Sequence, residues 1–564
     1  SYRDMGGIVN MRNGINIRKN SIKRVVVVAT FSMLCTGLWG CGIDSSNTAE
    51  ISLNTPVLNE STVIEDSHFA NQTQVTKSLD AELAKNPTLE NAFVTVDPYG
   101  ISPLTAVVIF TTDEPAQITV KTAGKDEYTS IEHTFKGFSK KHIIPVYGLY
   151  ADADNMITVT AVTKEGKSVS KDFNVKTDVL PEDISKTSVK VKQPEKMKQG
   201  LTFVDCPHVN GNYMLAVDAN GDIRWYLSEK KYNGSVMLTH LKNGNMLISN
   251  GEPIPNTYNN LPTVFEISPL GRVAAAYNVY GIHHDIRETK DGNLIFGASK
   301  EGRDSQNDYI VEVDRKTGKT LKSWDLKEII PMTEYKANAP YSGGTSNWFH
   351  NNAIWYNEDK NEFLISGRHQ NAVLKFDAES KQIKWILSKT IGENNEKLRQ
   401  YLLKPMGDNF EYPTAQHAVM ELPDGKIMLF DNTNFDITDN AVNLLQDRLY
   451  SRAVIYDIDE NNMTVRQVWQ YGKERGKDLY SSFISDVDWL GEDHYLFDFG
   501  GKYIADDGTV YDHMYTPKKV KNSSKRQSTI IELLNGEVIW EIDLLGNSNS
   551  NTYKAERKDI YVGL

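Results

Sequence analysis

The sequence predicts an all-β chain, a six-bladed β-propeller preceded by a small immunoglobulin/fibronectin-like β-sandwich, and three observations carry that prediction. A polar strand, a turn and an outgoing strand ending in an aromatic recur six times: DANGDIRW to Trp225, ISPLGRVAAAY to Tyr277, DRKTGKTLKSW to Trp324, DAESKQIKW to Trp385, DIDENNMTVRQVW to Trp469 and ELLNGEVIW to Trp540. Ahead of most of them stands an inner hairpin, LKNGNMLIS, TKDGNLIFG, LPDGKIMLF or the turnless NEDKNEFLIS. Asn-Gly and Asp-Gly between apolar strands are strong hairpin signals, and no helical period competes over any long window. Six four-stranded units at intervals of roughly 45 to 85 residues make six blades.

In chain order, the first segment reads as a targeting sequence. Arg18, Lys19, Lys23 and Arg24 flank an apolar run, Val25 to Leu38, too short for an ordinary membrane helix. The run ends in Leu38-Trp39-Gly40-Cys41, similar to a bacterial lipobox, so residues 1–41 read as a signal peptide with lipobox, cleaved before Cys41, which is the expected lipidation site; simple secretion is the alternative. This places the protein as an exported lipoprotein on the periplasmic or extracytoplasmic face of a membrane. Residues 42–87 are polar and read as a tether.

From residue 88 to 180, short strands rich in Thr, Val and Ile alternate at period two, which gives the sandwich. Residues 181–200 read as a linker, 201–545 as the propeller and 546–564 as a tail. With Cys35 and Cys41 in the exported segment, Cys206 is the one thiol left, which excludes an intrachain disulfide and a CxxC metal site. The formal charge of -12 over 564 residues, without basic runs, excludes a nucleic-acid partner.

In a propeller the innermost strands line one channel, so equivalent positions of different blades converge there. Aligned on their hairpin turns, His284 and His417 each lie eight residues before a turn glycine, Gly292 and Gly425. Asn352 and Ser485 fall in the same register, and His350 lies two positions upstream of Asn352. Arg368 follows on the next strand of the His350 blade. His283 is expected as a supporting residue whose side chain points away from that of His284. His208, His240, His369 and His494 lack the register and read as structural. Trp348, Phe349 and Tyr412 lie where they could sandwich an aromatic substrate or simply pack.

Nitrogen donors with no carboxylate in the ring favour an anionic substrate, a phosphate or sulfate ester. Paired carboxylates of the glycosidase kind are absent from the register. A three-histidine zinc site is the chemical rival, and Arg368 beside it argues against the metal. A propeller that only captures a ligand or partner protein is the non-catalytic alternative.

The segments HHDI, NWFHNNAIW with SGRHQNAVLKFD, YPTAQHAVMELPDGK and SRAVIYDIDENNMTVRQVWQYGKERG resemble the bacterial arylsulfate sulfotransferase family. The resemblance runs from about Asn91 to Leu545 and implies a six-bladed propeller behind a small β-domain. It implies sulfuryl transfer from an aryl sulfate donor to a phenolic acceptor without the nucleotide donor PAPS and without a cofactor. It implies His417 as nucleophile through a sulfohistidine, with His350 and Arg368 on the sulfonate oxygens and Asn352 and Ser485 assisting. His284 would be the acid and base. It further implies a homodimer. Relatives commonly carry threonine in place of Ser485, which keeps the hydroxyl, and some carry a disulfide that this chain lacks.

Overall fold

The computed structural model describes residues 57–58, 67–208, 211–228, 239–250, 254, 260–330, 346–389, 391, 396–433, 449–512, 525–546 and 550–564. Cys41 and the exported segment lie outside them, as do the side chains of Cys206 and His208.

The chain is all-β. In its immunoglobulin-like N-terminal domain, one long strand, Thr105–Thr122, serves two sets of partners. Its first half pairs with Phe93–Val96 and most of Ser139–Tyr147, its second with Ile131–Thr134 and Asp154–Thr163. The register shifts between Thr111 and Ala116, around Pro115, whose missing N–H cannot serve a ladder.

Part of the expected tether is instead an α-helix, Ser67–Ala84. Val75, Leu79 and Leu83 recur every fourth residue and pack on Val107 and Ile109 of the domain. Three apolar residues among polar ones leave only a weak periodic signal, which is why the sequence reads as polar linker.

Among the described residues six sheets follow, each built mainly from sequential antiparallel strands, with Val57–Leu58 added parallel at the edge of the second and Lys404–Met406 at the edge of the fifth. The first holds Leu201–His208, Gly211–Val217 and Ile223–Tyr226, and the second runs from Thr239–His240 to Val273–Ile282. The third runs from Ile286–Glu288 to Thr320–Asp325, and the fourth from Asn351–Asn357 to Ile383–Leu387. The fifth starts at His417–Glu421 and reaches Thr464–Tyr471, and the sixth starts at Asp486–Gly491 and reaches Glu537–Leu545.

The six repeated aromatics each sit on the last of these strands, and each reaches the sheet that follows. Trp225 donates Nε1–H to Pro269 O at 2.8 Å, Tyr277 its hydroxyl to Arg315 O at 3.4 Å, and Trp324 to Ala378 O at 2.6 Å. Trp385 donates to Glu460 Oε1 at 3.0 Å, and Trp469 stacks on Tyr495 with centroids 5.1 Å apart. Trp540 of the sixth sheet donates to Ala219 O of the first at 3.0 Å, so the series returns to its start. A ring buries a large apolar body while its N–H needs a partner, and Trp225, Trp324, Trp385 and Trp540 each meet both demands with one side chain.

Two strands correct the expected boundaries. Lys186–Lys192, expected as linker, pairs with Glu537–Leu545 at the edge of the sixth sheet. Ala555–Lys558, expected as tail, pairs with Leu201–His208 and completes the first. Its AERK sequence shows no apolar alternation because charge partners bury it: Arg557 is paired with Glu532 at 2.8 Å, and both are buried.

Candidate active site

The first strands of the third to sixth sheets are entered through residues in the left-handed region. His284 (φ +61°) stands two residues before Ile286–Glu288, His350 (φ +55°) directly before Asn351–Asn357, and Ser485 (φ +91°) directly before Asp486–Gly491. His417 opens its own strand, and the left-handed residues there are Ala415 (φ +51°) before it and Ala418 (φ +54°) after it. Such a conformation costs a non-glycine residue about 1–2 kcal/mol and persists only where packing over-determines it. Gly297 makes room for one entrance: a Cβ there would lie 2.6 Å from His283 O.

These kinks bring the imidazoles together. Nε2 of His350 lies 3.0 Å from Nε2 of His284 and 3.2 Å from Nε2 of His283. The His283 and His284 rings are 3.4 Å apart between centroids, which overturns the expectation that they point to opposite sides. Strand alternation does not apply, because the pair precedes the strand and Asp285 N–H turns back onto His283 O at 2.9 Å. The ring of His417 lies 6.4 Å from that of His284, and His369, expected to be structural, lies 4.4 Å from His350. His240 and His494 lie against carboxylates, at 2.6 Å from Glu556 and 2.7 Å from Glu532, contacts that fit the structural role expected of them.

The proton on His417 is placed by Asn432. The Asn432 amide donates from Nδ2 to Ser481 O at 2.8 Å and Ile484 O at 2.9 Å, so its oxygen faces the ring. His417 Nδ1 lies 2.7 Å from that oxygen and must carry the hydrogen, which leaves the Nε2 lone pair bare. Burial and then the Arg368 guanidinium hold His417 down at about 3, so the ring is neutral. Burial first, with Arg368 further down the causes, also pushes His283, His284 and His350 well below the usual histidine range. His369 is lowered to about 3 by burial and Arg368.

Arg368 therefore bears on every histidine of the cluster. It sits in the 3₁₀ turn Arg368–Gln370 directly after the strand Glu362–Gly367, with its N–H on His350 O at 3.1 Å. Among the described residues, His283, His284 and His350 are the one group whose ligand atoms, all within 4.8 Å, could hold a metal ion. The guanidinium beside them opposes a further cation.

The other expected residues are placed differently. Asn352 donates from Nδ2 to Gln416 O at 2.8 Å, while its buried Oδ1 meets no partner among the described residues. Ser485 shares its hydroxyl with Ser481 Oγ at 2.7 Å and accepts from Gly500 N–H at 3.1 Å, so it holds the loop whose Ile484 carbonyl fixes Asn432. Trp348 and Phe349 are fully buried in the apolar core, Trp348 with its N–H on Asp308 at 2.8 Å. Tyr412 packs on Phe410 at 5.0 Å.

The aromatic that does meet the histidines is Tyr553. It stacks on His284 at 4.9 Å and 18° and meets His417 edge-on at 5.8 Å. Asp205 anchors its segment, accepting the N–H groups of Tyr553 and Lys554 at 2.8 and 3.0 Å. The sequence signal for Tyr553 was its place two residues before a closing strand, legible only once that strand is known.

Comparison with known proteins adds the family. Residues 186–554 match the model for Arylsulfotransferase (ASST), and residues 93–178 match the Arylsulfotransferase Ig-like domain. The chain is 25% identical over 513 residues to Arylsulfate sulfotransferase AssT of Lelliottia amnigena, covering 72% of this chain and 84% of that relative. It is 25% identical over 568 residues to Arylsulfate sulfotransferase AssT of Escherichia coli O6:H1, covering 82% and 91%. A solved chain of Kuenenia stuttgartiensis hydrazine synthase aligns with a TM-score of 0.31 and 14% identity over 58% of this chain and 69% of its own, too distant to bear on the argument. With its larger part and its N-terminal domain both matched, the chain belongs to the arylsulfotransferase (ASST) family of enzymes.

Proposed function

We propose that this chain transfers a sulfuryl group from an aryl sulfate ester to a phenolic acceptor without PAPS, in two half-reactions through a sulfohistidine on His417. The observation that carries the reading is the bare Nε2 of a neutral, buried His417, held by Asn432 and facing a cluster of nitrogen donors with one guanidinium. The six sheets are then six blades of a propeller, supported by the aromatic series that returns from Trp540 to the first sheet.

In the first half-reaction the Nε2 lone pair attacks sulfur. The N–S bond forms as the S–O(aryl) bond breaks, and the aryl oxygen leaves with the bonding pair and takes a proton from His284. Because His284 is neutral in the empty site, it takes up this proton from solvent as the anionic ester binds, the ester's negative charge offsetting the burial and neighbouring charges that disfavour the cation. Arg368 and His350 stabilise the equatorial oxygens, the main requirement of a loose in-line transfer. In the second half the incoming phenol gives its proton to His284 and attacks sulfur, and the N–S bond breaks to restore His417.

Tyr553 supplies the aryl contact beside His284. His283 and Asn352 line the pocket, and Ser485 acts through Asn432. The proposal includes lipid attachment at Cys41, a periplasmic or extracytoplasmic membrane location and a homodimer, supported by the N-terminal pattern and the family resemblance.

The test is incubation with an aryl sulfate, with and without phenol. Phenol-dependent release of the donor's aryl alcohol supports transfer. Equal release without acceptor would make the protein a sulfatase, and tight binding without turnover a capture module.

The pH dependence follows from His417. A folded value of about 3 keeps the nucleophilic form dominant until the pH falls to that value. With a nitrophenyl sulfate, whose leaving group departs without a proton, kcat/KM is expected to stay flat from about pH 8 to about pH 5. An acid limb centred near 6.5, the reference value for histidine, would contradict the assignment.

A further inference from the structure

We propose that Asn260, Asn307 and Asn347 form a one-way amide chain that holds the proton of His350 on Nε2, making that ring a fixed donor to a sulfonate oxygen. The proposal rests on the reading of the site given above and adds three positioning residues to it.

The chain runs through four buried side chains. Asn260 Nδ2 donates to Asn307 Oδ1 at 2.7 Å, Asn307 Nδ2 to Asn347 Oδ1 at 3.1 Å, and Asn347 Nδ2 lies 2.8 Å from His350 Nδ1. All four residues are at most 3% exposed, so water does not compete for these bonds. An amide nitrogen can only donate, so His350 Nδ1 accepts. In a neutral imidazole the one hydrogen then sits on Nε2, the atom 3.0 Å from His284 and 3.2 Å from His283.

Ser299 braces the first two members from outside the chain. Asn260 also donates to Ser299 Oγ at 3.0 Å, and the same oxygen accepts the Asn307 N–H at 2.9 Å. Gly281 clears the space for Ser299, since a Cβ there would lie 2.6 Å from the Ser299 Cβ. Asn307 itself is left-handed (φ +57°), a conformation asparagine tolerates better than most residues. The backbone carbonyl of Asn347 lies 2.6 Å from His369 Nδ1.

The two asparagines thus present opposite ends of their amides to two histidines of one site. Asn432 turns its oxygen to His417 and leaves Nε2 bare to attack. Asn347 turns its nitrogen to His350 and leaves Nε2 protonated to bind. Aspartate would be nearly isosteric at position 347 but can only accept, so it would draw the hydrogen to Nδ1 and strip Nε2.

The test uses the full chain labelled with ¹⁵N-histidine, with His350 assigned by the resonance lost in His350→Gln. The wild type is expected to show the Nε2–H tautomer, and Asn347→Asp the Nδ1–H form. Asn347→Asp is expected to lose about 10²-fold in kcat/KM at pH 8, the scale for one lost oxyanion donor. It should regain activity on acidification, as the carboxylate-paired ring takes a second proton on Nε2, while the wild type stays flat. A wild-type ring protonated on Nδ1, or an Asn347→Asp enzyme with the wild-type profile, would overturn the proposal. If no form turns over an aryl sulfate, the function fails, and the ¹⁵N tautomer still decides the chain on its own.

Discussion

His417→Asn is expected to fold normally and to lose transfer by roughly 10⁴- to 10⁶-fold, the scale seen when a covalent nucleophile is removed. The size follows from the division of labour in the site. Arg368, His350 and His284 can bind the ester and stabilise charge, but none offers a neutral, buried lone pair whose proton is locked on the far nitrogen. Asparagine at 417 can accept or donate a hydrogen bond but cannot form the N–S bond. Donor binding should survive, so KM, or the Kd measured with a non-reactive aryl sulfonate, moves far less than kcat. A variant that kept more than a tenth of the wild-type rate would show that another group attacks sulfur. Thermal unfolding of the variant checks the fold independently.

Arg368→Met is expected to lower kcat/KM by about 10²–10³-fold, since in the proposed mechanism its guanidinium stabilises the transferring oxygens. Arg368→Lys should recover only part, since a lysine is a point charge without the planar fork that suits an oxyanion. A second effect distinguishes this residue from a merely structural one. Its charge helps depress all five histidines, so removing it raises their pKa values and shifts the acid limb of the rate profile to higher pH. Steady-state kinetics across pH measures both. An unchanged acid limb in Arg368→Met would mean the guanidinium is directed elsewhere.

The features legible in the sequence were those set by local chemistry. Turn residues marked the inner hairpins, and each outgoing strand announced itself by its terminal aromatic, from Trp225 to Trp540. Register along those hairpins was enough to bring His284 and His417 into one site, because equal spacing from a turn means equal depth in equivalent strands. What escaped was set by long-range closure or by single backbone angles. Tyr553 lies next to a strand, Ala555–Lys558, whose partner is more than 340 residues away. Nothing local in AERK marks it, since its burial depends on Glu532 and on other distant groups.

His283 turned toward its neighbour because His284 adopts φ +61°, a conformation that no strand periodicity anticipates. The asparagines escaped for another reason. Asn347 precedes an inner strand and Asn432 follows the second strand of its hairpin, both in short loops where asparagine is commonplace. Only the direction of their amides gives them meaning. The aromatic candidates show the converse error: Trp348 and Phe349 are near His350 in sequence, and the core claims their rings.

Whether sulfur passes through His417 is decided by mass analysis of the intact protein mixed with aryl sulfate alone, without acceptor. One added sulfuryl group per chain is expected, mapped by peptide fragmentation to His417, stable until phenol is added and then lost with formation of the new ester. An unmodified chain under conditions where transfer to phenol is rapid, or a sulfuryl group on any other residue, would contradict passage through His417.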